Sequence, residues 1–253
     1  QKMKKCAFCD IESRPTKEHI WQKNLIDKNK MNYAYSQMSN RLFPGEPVIK
    51  DVCAICNNEH LSKLDNYLSS LFNEQLQYVI EAGEDVTFRY SYDLLLRVLL
   101  KISYNASRVA NNDKNTKTHK KFARYILNAG YSPQIMLRLQ IVTSSKKIDL
   151  NSGEQSDFVP QLFRCGYIPY DGVLHHRFLI KLVAINSYWF YLIIPFKSEP
   201  AHKWREMLEG FANWRIPSGI FIEPTQHSLY VPVNNTTYFV PQLLGSMLNA
   251  EFI

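Results

Sequence analysis

Two cysteine pairs carry the clearest chemistry in this 253-residue chain: Cys6 and Cys9 in Cys-Ala-Phe-Cys, and Cys53 and Cys56 in Cys-Ala-Ile-Cys. Two residues between cysteines let both sulfurs face one ion from a tight turn, and two such pairs supply the four thiolates of a tetrahedral zinc site. Two disulfides or four free thiols are the alternatives; the doubling of the motif favours one structural Zn²⁺. Cys165 stands alone in a mixed segment and reads as a small buried hydrophobe.

A second set of reactive types lies around these pairs. Thr16-Lys17-Glu18-His19-Ile20-Trp21 places a carboxylate next to an imidazole, and Asn57-Asn58-Glu59-His60 follows the last cysteine directly. An imidazole with an unperturbed pKa of ~6.5 suits proton transfer from water near neutral pH. Oxygen and imidazole donors suit a hard divalent ion. On an extended strand Glu18 and His19 point to opposite sides. On a helix Asn57 and His60, three apart, share a face. Each also has a plain reading: His19 and His60 as surface histidines, Asn57 as a helix cap.

The elements that must position these residues follow from spacing. Forty-three residues separate Cys9 from Cys53, more than the ~15–20 of a simple zinc ribbon, so something folded sits inside the loop that the metal closes. A helix is expected from Asn57 to about Ala82. A second runs from Ser91 to about Val109, with Leu94, Leu95, Val98, Leu99, Ile102, Ala106 and Val109 on a broad apolar arc. On its other side Arg97, Lys101 and Arg108 form a narrow cationic stripe with Asn105 beside them. That stripe fits phosphate tracking along DNA or, equally, salt bridges to acidic neighbours. After a polar loop at 111–115, a helix is expected from Thr118 to Ala129, ending at Gly130 and accompanied by Lys117, His119, Lys120, Lys121 and Arg124. Strands are expected at 135–143, in two runs around Asn186-Ser187, between 219 and 231 and at 237–239, with helices at 200–211 and 241–248. His175-His176 sends its rings to opposite faces of a strand, and Tyr188, Trp189, Phe190, Tyr191, Trp204 and Trp214 read as core.

Charge sharpens the division. The chain has 30 basic and 23 acidic residues, net +7, with a pI near 9.0. Between Arg89 and Lys147 twelve residues are basic and two, Asp93 and Asp113, are acidic. A polyanion partner is compatible with this, and the middle segment would carry the contact. Hydrophobic residues at 45% and charged ones at 21% exclude global disorder. No apolar run reaches the ~18 residues of a membrane span, and no basic-then-apolar leader opens the chain. A cytoplasmic protein with no membrane partner is expected.

The run CAFC, then TKEHIW, then DVCAICNNEHLSKLD, over about residues 4–66, resembles the HNH endonucleases of the zinc-knuckle type. The resemblance implies a zinc-stapled ββα-metal, treble-clef-like nuclease core within an α+β protein. It implies metal-dependent hydrolysis of DNA phosphodiesters, leaving 5′-phosphate and 3′-hydroxyl ends, with His19 as general base. Glu18, Asn57 and His60 would hold one catalytic Mg²⁺ or Mn²⁺, and Cys6, Cys9, Cys53 and Cys56 structural Zn²⁺. The segment before the second cysteine pair lacks the Asn that many relatives carry there, with Asn40 the nearest candidate. On this basis the chain divides into a nuclease domain at 1–82, a basic helical segment at 83–147 with Arg97, Lys101, Arg108, Lys120 and Lys121 as candidate nucleic-acid contacts, and a β-rich region at 148–253. The last region is a candidate control module for a protein partner or small-molecule activator. A prokaryotic antiviral defence role, a homodimer, an RNA substrate and a non-catalytic zinc-stapled binding module are left open.

Overall fold

Short strands pin the cysteine turns in place. The computed structural model describes residues 2–26, 33–36, 41–44, 48–148, 151–168, 176–210 and 219–232. Asn40, His175, Trp214 and the elements expected at 237–239 and 241–248 lie outside the described residues. The chain divides into two units, one of Gln1–Phe72, Asp93–Pro133 and Asn249–Ile253, the other of Asn73–Tyr92 and Gln134–Leu248. The basic helices thus share a unit with the cysteines, because their buried faces pack there, and the segment at 73–92 joins the β-rich half.

In the first unit, β1 (Lys4–Lys5) and β2 (Glu12–Ser13) pair antiparallel and hold the first cysteine turn between them. Asp10 closes that turn at φ 66°, a left-handed conformation that Asp tolerates better than most residues. β3 (Thr16–His19) pairs antiparallel with β6 (Val48–Val52), setting Thr16 opposite Val52 and His19 opposite Val48, with the register shifting between Thr16 and Glu18. Such a bulge re-aims side chains locally. Between them come α1 (Lys23–Ile26) and the antiparallel pair of β4 (Tyr33–Ser36) and β5 (Arg41–Pro44).

The helix expected at 57–82 is broken into three pieces. A π-helical turn at Cys56–Leu61 leads into α2 (Ser62–Leu71), and a second π-helical stretch covers Phe72–Leu76. Helix α3 spans Tyr92–Val109, and nearly its whole circumference is buried, polar side included. Asn112 caps α4 (Asp113–Lys120) by accepting the Asn115 N–H at 3.0 Å, which starts this helix earlier than the polar composition of 111–115 implies. A break at Lys121–Phe122 separates it from α5 (Ala123–Asn128), which ends in two left-handed residues, Ala129 and Gly130.

The second unit is built on a five-stranded antiparallel sheet. Its strands are β8 (Met136–Ile141), β11 (Phe163–Ile168), β12 (Phe178–Ile185), β13 (Tyr188–Pro195) and β14 (Ile220–Phe221), in the order β11-β12-β13-β8-β14. Smaller pairs join β7 (Val86–Arg89) to β15 (Ser228–Val231), and β9 (Ser145–Ile148) to β10 (Gln155–Phe158). β12 and β13 are buried along their full lengths, which explains sequences that are apolar but for Lys181 in β12. One face gathers Met136, Ile180, Leu182, Trp189, Tyr191 and Ile193 against Met207 of α6 (Ala201–Gly210). The tight turn between β12 and β13 uses Asn186 at φ 52°. Its side chain donates to the Leu76 carbonyl and accepts from the Leu162 N–H. At Gly219 a Cβ would meet the Leu139 carbonyl oxygen at 1.9 Å, so only glycine fits beside β8. No described helix is long and apolar enough to cross a membrane.

Candidate functional site: a four-thiol cluster and a polar cleft

The two cysteine turns meet in the first unit. Cys6, Cys9, Cys53 and Cys56 are free thiols whose sulfurs all lie within 4.8 Å of one another. Cys9 Sγ and Cys53 Sγ stand 3.7 Å apart. Zn–S bonds of about 2.3 Å at tetrahedral angles give S···S edges of about 3.8 Å, so the separation fits one shared zinc ion. The Cys53 N–H points to Cys6 Sγ and the Cys56 N–H to Cys53 Sγ, each at 3.4 Å, and such donors favour sulfur in its anionic form. Burial disfavours the Cys6 thiolate, but backbone N–H groups of Cys9, Cys53 and Phe8 outweigh it and bring the thiol down to about 7. Burial and the neighbouring sulfurs push Cys56 up; burial also raises Cys9. Four sulfurs at this spacing ionise together only around a cation, so this cluster can hold a structural metal ion such as zinc.

Arg108 braces this cluster. Its guanidinium donates to Asp51 through Nε at 3.0 Å and Nη2 at 3.3 Å, and lies 4.2 Å from the ring centre of Tyr104 and 5.2 Å from that of Phe8. Phe8 sits inside the first cysteine turn, and the Ala7 N–H bonds the Asp51 carbonyl. The Ala7 carbonyl in turn accepts from Tyr104 Oη and from Lys120 Nζ, which also pairs with Asp10.

Next to Cys56 in the chain, Asn57 ties the π-helical turn to β3. Its Nδ2 donates to Thr16 Oγ1 at 2.9 Å and to the Lys17 carbonyl at 3.0 Å. A polar cleft of about 330 Å³ opens here, lined by Lys17, His19 and Asn57 together with Gln22, Lys23 and Asn24 near α1 and with Glu18, Asp65, Asn66, Ser69 and Lys101. Glu18 and Lys101 are each only 3% exposed. The Lys101 ammonium lies 2.8 Å from Glu18 Oε1 and 2.5 Å from Asp65 Oδ1. Burial works against this charge, but Glu18 and Asp65 outweigh it and hold the lysine above its usual range. Asn105, one turn further along α3 and fully buried, donates through Nδ2 to both Glu18 Oε1 and the His19 carbonyl at 3.0 Å. The dipeptide Glu18-His19 is thus clamped from α3.

Glu18, His19 and Asn57 come together at the cleft, but the divalent site that the resemblance implies does not fit the arrangement. Glu18 Oε1 already takes an ammonium and an amide, and a second cation on it would face Coulomb repulsion from Lys101. Asn57 has both Nδ2 protons engaged and only Oδ1 left. His60 is not among the cleft residues. It lies in a π-helical turn, whose i→i+5 bonding widens the spiral, so residues three apart no longer stack as on an α-helix. Among the described residues, the thiol cluster is the one group of three or more His, Cys, Asp or Glu side chains close enough to share an ion.

The cationic stripe on α3 faces inward. Arg97 donates to the Ile126 and Leu127 carbonyls at the end of α5 and pairs with Asp93. Lys101 is buried on Glu18 and Asp65, and Arg108 on Asp51, so each of the three cations has an internal acidic partner. Lys120 holds the Ala7 carbonyl and Asp10, while Lys121 is exposed. His119 is fully buried against Ser103 Oγ at 2.7 Å and the Asn115 carbonyl at 2.6 Å. Asp65 and Asn105 were not foreseeable as site residues. The available signal was weak: Asn105 lies four residues after Lys101, so the two share a face of α3.

Comparison of the chain with protein-family models, with curated proteins and with solved structures finds no match.

Proposed function

We propose that the first unit is a zinc-stapled nucleic-acid phosphodiesterase of the HNH type that acts in this cleft. One observation carries the reading: the strand bearing Glu18-His19 and the turn after the last cysteine are bonded to each other through Asn57 and line one polar cleft. The order of the antiparallel β3–β6 pair, the π-helical turn and α2 along the chain supports this reading. In this reading the His19 imidazole takes a proton from a water molecule as its oxygen attacks phosphorus. The bond from phosphorus to the leaving sugar oxygen breaks, and that oxygen takes a proton from solvent. Asn105 is a positioning residue, fixing the His19 backbone through its carbonyl. Lys17 and Lys23, both exposed on the cleft, supply attraction for the phosphate backbone.

The test is cleavage of supercoiled plasmid by the full chain with its zinc in place, with a parallel RNA digest to identify the nucleic acid. His19→Ala is expected to lower the rate by about 10²–10⁴-fold, with zinc content and circular dichroism unchanged. Equal cleavage by the variant removes His19 as the base. A non-catalytic zinc-stapled binding module is the second reading, favoured by the commitment of Glu18 to Lys101 and Asn105. Retention of nucleic acid in a gel shift without cleavage under any condition would select it.

A further inference from the structure

The cleft contains a cation of its own. Lys101 lines it, carries a secured positive charge and spends two N–H donors on Glu18 and Asp65. An ammonium has three donors, so one is left over. Gln22 also lines the cleft, and its buried Nε2 has no hydrogen-bond partner, its Oε1 being taken by Ser69 Oγ. Two uncommitted donors, one of them cationic, therefore line a cleft whose three lysines outnumber its two carboxylates, Glu18 and Asp65. Buried donors without partners are costly, and a site that keeps them is matched to acceptor oxygens. A phosphodiester brings such oxygens together with the negative charge that Lys101 complements. The Glu18 carboxylate, meanwhile, has its Oε1 engaged twice.

We infer that Lys101, assisted by Gln22, is the anion-holding cation of this cleft and stands where a divalent ion would otherwise neutralise the scissile phosphate. Cleavage then proceeds without added Mg²⁺ or Mn²⁺. The inference rests on the phosphodiesterase reading and deepens it. Glu18 and Asp65 act on the phosphate through the ammonium: they keep it charged and in place, and Asn105 holds Glu18 in turn. In the hydrolysis described above the ammonium donates a hydrogen bond to a non-bridging oxygen and transfers no proton, so the balance of the step is unaltered.

The experiment compares plasmid cleavage by the full chain in Mg²⁺ and in a chelator, at a chelator dose that leaves the thiol-bound zinc in place by atomic absorption. Equal rates are expected in both. Lys101→Met and Gln22→Leu are expected to lower cleavage in both buffers, the lysine variant by about 10²-fold or more. Cleavage by wild type in Mg²⁺ that vanishes in chelator, with zinc retained, overturns the inference and leaves the hydrolase reading intact. Absence of cleavage in every buffer sinks the hydrolase reading instead, and titration with inorganic phosphate by calorimetry then decides the anion site. Phosphate binding weakened by Gln22→Leu supports that site; binding unchanged in both variants overturns it. Should Lys101→Met fail to fold, Gln22→Leu and the wild-type chelator arm still give the answer.

Discussion

The two units fill their interiors with different material. In the second, the central strands β12 and β13 stack Ile180, Leu182, Trp189, Tyr191 and Ile193 with little polar interruption. In the first, the interior of α3 holds Arg97, Lys101, Asn105 and Ser103, each engaged with a partner from another segment or turn. Apolar burial is non-directional and tolerates substitution of similar volume. Buried ions work only when every partner is present. The second unit is therefore a scaffold whose stability is spread over many contacts, whereas the first concentrates its order on a few polar and sulfur bonds that also shape a cleft.

Removing the metal should expose this contrast most strongly. Cys53→Ser takes one sulfur from the cluster and a structural zinc contributes on the order of 10 kcal/mol to such small folds. The first unit is expected to lose its calorimetric unfolding transition while the sheet of the second still melts; loss of both together would show that the units do not differ in this way. Zinc retention should also fall as pH is lowered, because the ligands bind as thiolates. Cys6, already down at about 7, ionises before Cys9 and Cys56, whose thiols burial pushes up.

The next largest effect falls on Lys101. Lys101→Met leaves Glu18 buried without its cation, which costs about 3–5 kcal/mol in comparable buried pairs. Urea unfolding should show the loss, and adding Glu18→Gln should restore part of it. A single variant as stable as wild type would mean that the cluster contributes nothing to folding.

A smaller effect of opposite sign is expected in the second unit. Lys181 is buried in β12, and burial lowers its pKa, with Cys165 opposing more weakly. The unfolded chain then binds more protons than the folded one in the window between the lowered value and the free-lysine pKa of ~10.4, so stability rises with pH across it. Below the window the penalty is present in full. Lys181→Met should therefore raise the neutral-pH stability by about 1–2 kcal/mol, and the gain should vanish above that pKa. A melting temperature difference independent of pH would remove the charge as its cause.

Local signals served well where the partners are close in sequence. The C-x-x-C pairs announce a thiol cluster because each turn sets its own two sulfurs. The apolar arc of 92–109 and the hairpin around Asn186-Ser187 are legible for the same reason: a helix face and a tight turn are properties of a few consecutive residues. The charges of α3 are not. Arg108 and Lys101 find Asp51 and Asp65 across intervals of 57 and 36 residues, and Asn105 finds Glu18 across 87. Counting cations over 89–147 records an excess of positive charge but says nothing of the acids folded against it. The face shared by Asn57 and His60 fails through backbone geometry, since a π-helical turn replaces the α-helix that the spacing assumes.

By itself the sequence determined the four-thiol cluster, the α+β character and the greasy strands of the second unit, because each depends on side-chain type repeated at short, fixed intervals. Tertiary structure alone decided which side chains share the cleft, that an ammonium lies between its two acids, and that Asn105 holds the strand bearing His19. Those pairings depend on the long-range path of the chain and on the low-dielectric interior that makes each buried charge require a partner.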